Sequence, residues 1–249
     1  MGDRMKSNQH NMVFDAKKML LSEKSPFSMQ EAYKTLRTNV SFSLPGSGCK
    51  CIGIVSANRG DGKSSIVSNL AISLAQINKR VVLIDCDMRL PTVAQKFGVQ
   101  STPGLSNLLS GDVSRLPIVD ATEYKIDIIP SGNIPPDSTT LISSKEMRQM
   151  VDELRKSYDY ILFDFPPINI VSDAMIISDI IDGYLLVVRH GSSELQMVAE
   201  TIRQMRFADA KLIGFVYNGK SENKKYYKKG RYGKNGYYNK YYYYYKSKQ

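Results

Sequence analysis

Histidine is almost absent from this sequence: His10 and His190 are the only two in 249 residues. A multi-histidine metal centre is thereby excluded, and a histidine-based catalytic triad has little to draw on. Cysteine is nearly as scarce. Cys49, Cys51 and Cys86 are odd in number, and Cys-Lys-Cys is not the spacing of a zinc knuckle, so burial as small apolar residues is expected. No apolar run approaches the roughly 20 residues needed to span a bilayer. The opening stretch MGDRMKSNQHNMVFD lacks the apolar centre of a signal peptide, and Lys6 stands where a myristoylation start requires Ser or Thr. A cytoplasmic protein is expected.

Acidic residues are missing from one region only. Residues 218–249 hold ten Lys/Arg and a single acid, Glu222, whereas the other 217 residues hold 24 Lys/Arg and 23 acids. The net charge of +10 therefore belongs to the tail, and the rest of the chain is nearly neutral. Basicity is no argument for nucleic-acid binding by the whole chain.

The pattern divides the chain into a loosely ordered arm (1–26), a globular domain (27–217) and a tail (218–249). Ser28-x-x-Glu31 reads as a capping box for a helix carrying Tyr33, Leu36 and Val40, ended by Pro45-Gly46. Strand and helix patterns then alternate. Short apolar runs at 51–56, 80–85, 125–130, 160–165, 183–188 and 211–218 read as strands. Helices are expected at 64–77, with Ile66, Leu70 and Leu74 on one face, and after a Ser143-x-x-Glu146 cap. A further helix carries Leu195, Val198, Ile202 and Met205. This alternation predicts an α/β fold, a mostly parallel sheet with helices on both faces, binding ligands at the carboxyl ends of its strands.

Residues 57–64, Ala-Asn-Arg-Gly-Asp-Gly-Lys-Ser, follow a predicted strand and open a predicted helix, the context a phosphate-binding loop requires. Gly60 and Gly62 allow backbone N–H groups to converge, with Asn58, Arg59, Asp61 and Ser65 completing the loop. Lys63 is expected to reach the β- and γ-phosphates of ATP, and Ser64 to offer its hydroxyl to Mg²⁺. Ala57 replaces the usual first glycine. Two further strands end in acids, Leu-Ile-Asp85-Cys-Asp87 and Leu-Phe-Asp164-Phe-Pro166-Pro167. A magnesium nucleotide needs such oxygen ligands. Asp164 is assigned to Mg²⁺, with Ser64 and Asp85 as further metal-site candidates. Asp85 is preferred as catalytic base, with Asp87 the alternative.

These residues resemble those of the bacterial tyrosine kinases of capsule and exopolysaccharide synthesis, whose P-loop fold is like that of the division-site and partitioning ATPases. Ala57–Ser64 resembles the Walker A motif, Leu83–Arg89 the Walker A′ motif and Phe163–Pro166 Walker B. Glu31-Ala-Tyr-Lys34-Thr-Leu-Arg37 is similar to the Glu-x-x-Arg-x-x-Arg segment of ring-like self-assembly, with Lys34 in place of the first Arg. The partitioning ATPases usually carry a second lysine near the start of the loop. Asn58 occupies that position here, which argues against that branch. The resemblance implies activation by a separate membrane adaptor resembling a chain-length regulator, the split form found in Firmicutes, which would recruit the protein to the inner face of the membrane. It also implies a cognate tyrosine phosphatase and leaves room for other protein substrates. Asn218, ending the last strand, lies where related folds read adenine.

The tail holds ten of the sixteen tyrosines: Tyr226, Tyr227, Tyr232, Tyr237, Tyr238, Tyr241, Tyr242, Tyr243, Tyr244 and Tyr245. Taken alone, a Lys/Tyr-rich segment suits either phosphorylation or binding to nucleic acid or membrane. Beside the P-loop and the resemblance, the expectation is autophosphorylation in trans, with nucleic acid not expected as a partner. The sequence leaves two other readings open. One is a partitioning-type ATPase that switches oligomeric state without phosphorylating protein. The other is a basic nucleic-acid-binding protein whose P-loop only regulates assembly.

Overall fold

The computed structural model describes residues 19–219. The first helix, α1 (Phe27–Ser43), leads into β1 (Lys50–Ser56), the loop and α2 (Lys63–Ala75). Next come β2 (Val81–Asp85), the short helices α3 (Val93–Phe97) and α4 (Leu105–Leu109), β3 (Val119–Ala121) and β4 (Ile126–Ile129). The chain continues through α5 (Ser138–Ser143), α6 (Lys145–Arg155), β5 (Tyr160–Asp164), α7 (Asp173–Ile176), β6 (Gly183–Arg189), α8 (Leu195–Phe207) and β7 (Leu212–Asn218).

Seven strands form one sheet in the order β3-β4-β2-β5-β1-β6-β7, all parallel except the edge strand β3. The expected parallel sheet is present, and its apolar strands are buried because helices cover both faces. One layer packs α1 and α2 through Val40, Val67, Leu70 and Leu74 against Ile52, Ile54 and Leu83. The other brings Met147, Val151 and Leu154 of α6 against Val55, Ile84 and Phe163. Gly53 leaves room for an aromatic ring in that second layer: a Cβ there would lie 2.5 Å from Tyr184. Cys51 and Cys86 are buried as small apolar residues, and Cys49 is half-buried.

Three local expectations need correction. Residues 19–26 are anchored rather than loosely ordered: Leu20 and Leu21 are buried, and the Leu21 N–H donates to Asn69 Oδ1 of α2 at 2.7 Å. α1 starts on Pro26, whose carbonyl accepts from Gln30 N, so Ser28 lies within the first turn and caps nothing. The cap of α6 is Ser144, which accepts from Met147 N at 3.3 Å, because residues 138–143 form a helix of their own.

Candidate active site

The strand order sets β1, β5 and β2 side by side, so the segments leaving their carboxyl ends meet. Asp164 pairs in register with Asp85 on one side and with Ile54 on the other. The loop after β1 therefore opens directly beside both carboxylates.

The loop is held by its own side chains and by the neighbouring strands. Asp61 is buried, and its Oδ2 accepts from Asn58 N at 3.1 Å while Oδ1 accepts from Ser193 Oγ at 2.9 Å. Arg189, ending β6, donates to Gly60 O at 2.6 Å. Asn218, ending β7, donates to Asp61 O at 2.8 Å. Gly60 and Gly62 have φ of 86° and 96°, the left-handed region that glycine tolerates. Gly62 has a second reason to be glycine, since a Cβ would lie 2.1 Å from Asn218 Nδ2. Lys63 opens α2 and is buried, whereas Ser64 and Ser65 are partly exposed and Arg59 is exposed.

A cleft of about 290 Å³ lies at this loop. Arg59, Lys63, Ser64, Ser65, Asp87, Arg89, Thr92 and Lys96 contribute its charged and polar lining. A larger groove of about 960 Å³ runs between residues 20–29 and the end of α2, away from these groups, so size alone does not locate the site.

The three aspartates differ sharply. Both oxygens of Asp164 are buried without a hydrogen-bond partner. Burial pushes its carboxyl up to about 6; Lys63 pulls it down, as does the nearby Ser64 hydroxyl, which makes no well-formed hydrogen bond to it. A buried unpaired carboxylate is costly, and with the Ser64 hydroxyl nearby it offers oxygen donors of the kind a hard divalent cation takes, Lys63 standing close enough to offset part of its charge. Thr92 Oγ1, on the same cleft, is likewise buried and unpartnered. Asp85 is fully occupied instead: Oδ1 accepts from Asp87 N at 3.2 Å, and Oδ2 from Thr92 N at 3.2 Å and Val93 N at 3.1 Å. Burial, then the charge of Asp164, raises its pKa well above the carboxylate range. Asp87 is only partly buried and lines the cleft; its Oδ1 accepts from Leu90 N at 3.1 Å. Burial raises its pKa, with the Leu90 N–H and Lys63 opposing.

Two groups at the site escaped sequence reasoning. Lys96, on α3, donates to Ser65 Oγ at 3.0 Å and lines the cleft. Arg189 and Ser193 clasp the loop from the β6 side. α3 has five residues, too few to show a helical period, so nothing in the pattern pointed Lys96 inward. On α1, Lys34 pairs with Glu31 at 2.8 Å in solvent, while Arg37 turns inward to the Ser73 carbonyl of α2. The ten tail tyrosines lie outside the described residues.

A parallel sheet with a glycine loop, lysine and serine at its first strand and acids at the next two defines a P-loop nucleotide-binding domain, and the AAA domain family matches residues 49–209. The fold resembles that of the septum site-determining protein MinD complexed with Mg-ADP from Pyrococcus horikoshii, with a TM-score of 0.58 and 25% identity over 70% of this chain and 72% of that one. Nearer still is the kinase domain of the Escherichia coli tyrosine kinase ETK, with a TM-score of 0.75 and 28% identity over 82% of this chain and 79% of that one. The tyrosine-protein kinase YwqD of Bacillus subtilis is 39% identical over 195 residues, 78% of this chain and 82% of that protein. The chain belongs to the bacterial tyrosine-protein kinases.

Proposed function

We propose that the protein transfers the γ-phosphoryl group of Mg-ATP to tyrosine hydroxyls, beginning with the C-terminal cluster of a neighbouring copy. The observation that carries this reading is Asp164: two buried, unpartnered carboxylate oxygens beside Lys63, at the mouth of a glycine loop. Loop N–H groups from Arg59 to Ser64 would receive the polyphosphate, the Asn58 and Ser65 N–H groups being engaged within the loop, and the Lys63 ammonium would neutralise its charge. Ser64 and Asp164 would hold Mg²⁺, which when bound neutralises phosphate charge and fixes its orientation.

The base is Asp87 rather than Asp85. Asp85 already spends both oxygens on the backbone of the turn that carries Asp87, so its role is to hold that turn. Asp87 keeps Oδ2 unengaged among the described residues and reaches the cleft. The phenol is protonated at neutral pH, with a pKa near ~10. As its oxygen bonds to the γ-phosphorus, the proton passes to Asp87, the bond to the bridging oxygen breaks and ADP departs. A base whose pKa burial has raised suits that task.

The exposed Glu31–Lys34 pair is the part of α1 available for assembly into a ring, with Arg37 seating the helix on α2. No helix among the described residues is long and apolar enough to cross a membrane. An adaptor of the chain-length-regulator kind would recruit the protein to the membrane, and a cognate tyrosine phosphatase would reset the tail. Capsule or exopolysaccharide assembly is the process this phosphorylation would regulate.

The test is to incubate the full chain with Mg-ATP, alone and fused to the adaptor's cytoplasmic segment, beside Lys63→Met. Mass spectrometry should find phosphotyrosine within residues 226–245, absent from the variant. Nucleotide hydrolysis without phosphotyrosine, even with the adaptor segment, would overturn the proposal.

A further inference from the structure

The cleft has two unlike walls. The phosphate loop forms one. The other combines the turn after β2, where Leu90 follows the charged Asp87 and Arg89, with an apolar stretch, Pro166, Pro167, Ile170 and Val171, from the segment after β5. Leu90 is 47% and Ile170 62% exposed, large aliphatic side chains left open to water beside a charged site. Neither offers anything to a polyphosphate.

The nucleotide base is a poor occupant for this wall. In the strand order β2-β5-β1-β6-β7, the loop after β1 separates the β2/β5 side from the β6/β7 side. Asn218 and Arg189 sit on the latter, bonded to the loop itself. A nucleotide running along the loop with its base toward Asn218 leaves the Leu90–Ile170 side vacant at the γ-phosphate end.

Leu90 is also bound to the base. Its N–H donates to Asp87 Oδ1 at 3.1 Å, so the proton acceptor and the apolar contact are parts of one turn. Whatever rests on Leu90 is placed a fixed distance from the Asp87 carboxylate.

We propose that Leu90 and Ile170 form the acceptor subsite, an apolar shelf that holds the phenol ring of the substrate tyrosine with its hydroxyl directed at Asp87. The proposal rests on the kinase reading above and supplies its selectivity. A tyrosine ring covers both aliphatic side chains while its hydroxyl extends past them toward the carboxylate. Serine and threonine have no ring to cover the shelf, and their hydroxyls lie too near their own backbone to extend past it.

The test uses the full chain fused to the adaptor segment, with a synthetic peptide of residues 236–249 as acceptor. Leu90→Ser, Ile170→Ser and the double variant are compared with Leu90→Met and Ile170→Val. The double serine variant should raise the KM for the peptide about tenfold or more, with the Kd for Mg-ADP, measured by calorimetry, changed less than about twofold. The Met and Val variants should stay near wild type. Both side chains are exposed, so the serine variants are expected to fold, and the calorimetry reports on that directly. An unchanged peptide KM in the double variant would overturn the shelf. So would parallel weakening of Mg-ADP, which would return this wall to the nucleotide. A wild-type chain that phosphorylates no tyrosine, in peptide or tail, would overturn the kinase reading and the shelf with it.

Discussion

At the residue scale, the pH dependence of Asp164 follows from its burial. Its folded pKa of about 6 lies above the ordinary 3.8, so the folded chain holds a proton that the unfolded chain has released. Between those values the nucleotide-free protein loses stability as pH rises, by on the order of 3 kcal/mol for this group alone. Urea unfolding from pH 4 to pH 7 should show that decline, and Asp164→Asn should make it shallower, the part due to the raised Asp85 and Asp87 remaining. A variant with the same slope as wild type would assign the decline elsewhere. Lys96 is the second residue to test. Its ammonium is depressed by burial, with Asp164 opposing, and it bonds Ser65 within the phosphate loop. Lys96→Met should weaken Mg-ADP about tenfold by calorimetry, the scale of one charge-assisted hydrogen bond. That Lys63, Ser64 and Asp164 meet at one end of the sheet was legible, because a P-loop announces itself by spacing and acids at apolar strand ends stand out beside it. Lys96 and the Leu90–Ile170 wall were not, since each reaches the site through tertiary packing of a short segment. The proposed preference for Asp87 over Asp85 rests on the backbone N–H groups of Thr92 and Val93, which no spacing rule reveals.

Elements were legible in proportion to their length. Six of the strands and the helices α1, α2, α6 and α8 match the periodicities, because each buries a face long enough to show one. β3 has three residues and α3 and α4 five each, so their existence depends on what they dock against. The boundary between α5 and α6 failed for a related reason. Ser143 and Ser144 are adjacent, both precede an acidic first turn, and only the geometry shows that Ser144 accepts the N3 N–H while Ser143 donates to Thr140 O. Ser144→Ala should therefore cost about 1 kcal/mol in denaturant unfolding, and Ser143→Ala distinctly less. Equal losses would mean that the cap is shared. α1 differs from the others in that its inner face, Met29, Tyr33, Leu36 and Val40, is fully buried only at Val40.

For the whole molecule, charge is the property that phosphorylation changes most. The tail carries +9, and each phosphotyrosine adds about −1.5 to −2, so roughly five would cancel it and ten would reverse it. A ring built through α1 and holding basic tails should come apart as the tails turn acidic. Size-exclusion chromatography with light scattering should show a smaller assembly after full phosphorylation; an unchanged mass would sink the idea. Glu31→Ala with Lys34→Ala should give the small form without phosphorylation.

The position of β1 has a consequence for synthesis. Its partners are β5 and β6, beginning at residues 160 and 183, so the strand bearing the phosphate loop waits for sequence made long afterwards. At about 5–20 residues per second, roughly 110 residues of delay is some 5–20 seconds on the ribosome. Throughout that interval an apolar strand has both edges open, and no nucleotide can rescue it, because Asp164 does not yet exist. Nascent chains halted before β5 should thus depend on chaperones and ignore ATP, and gain both a paired centre and a ligand only when the last third of the domain emerges.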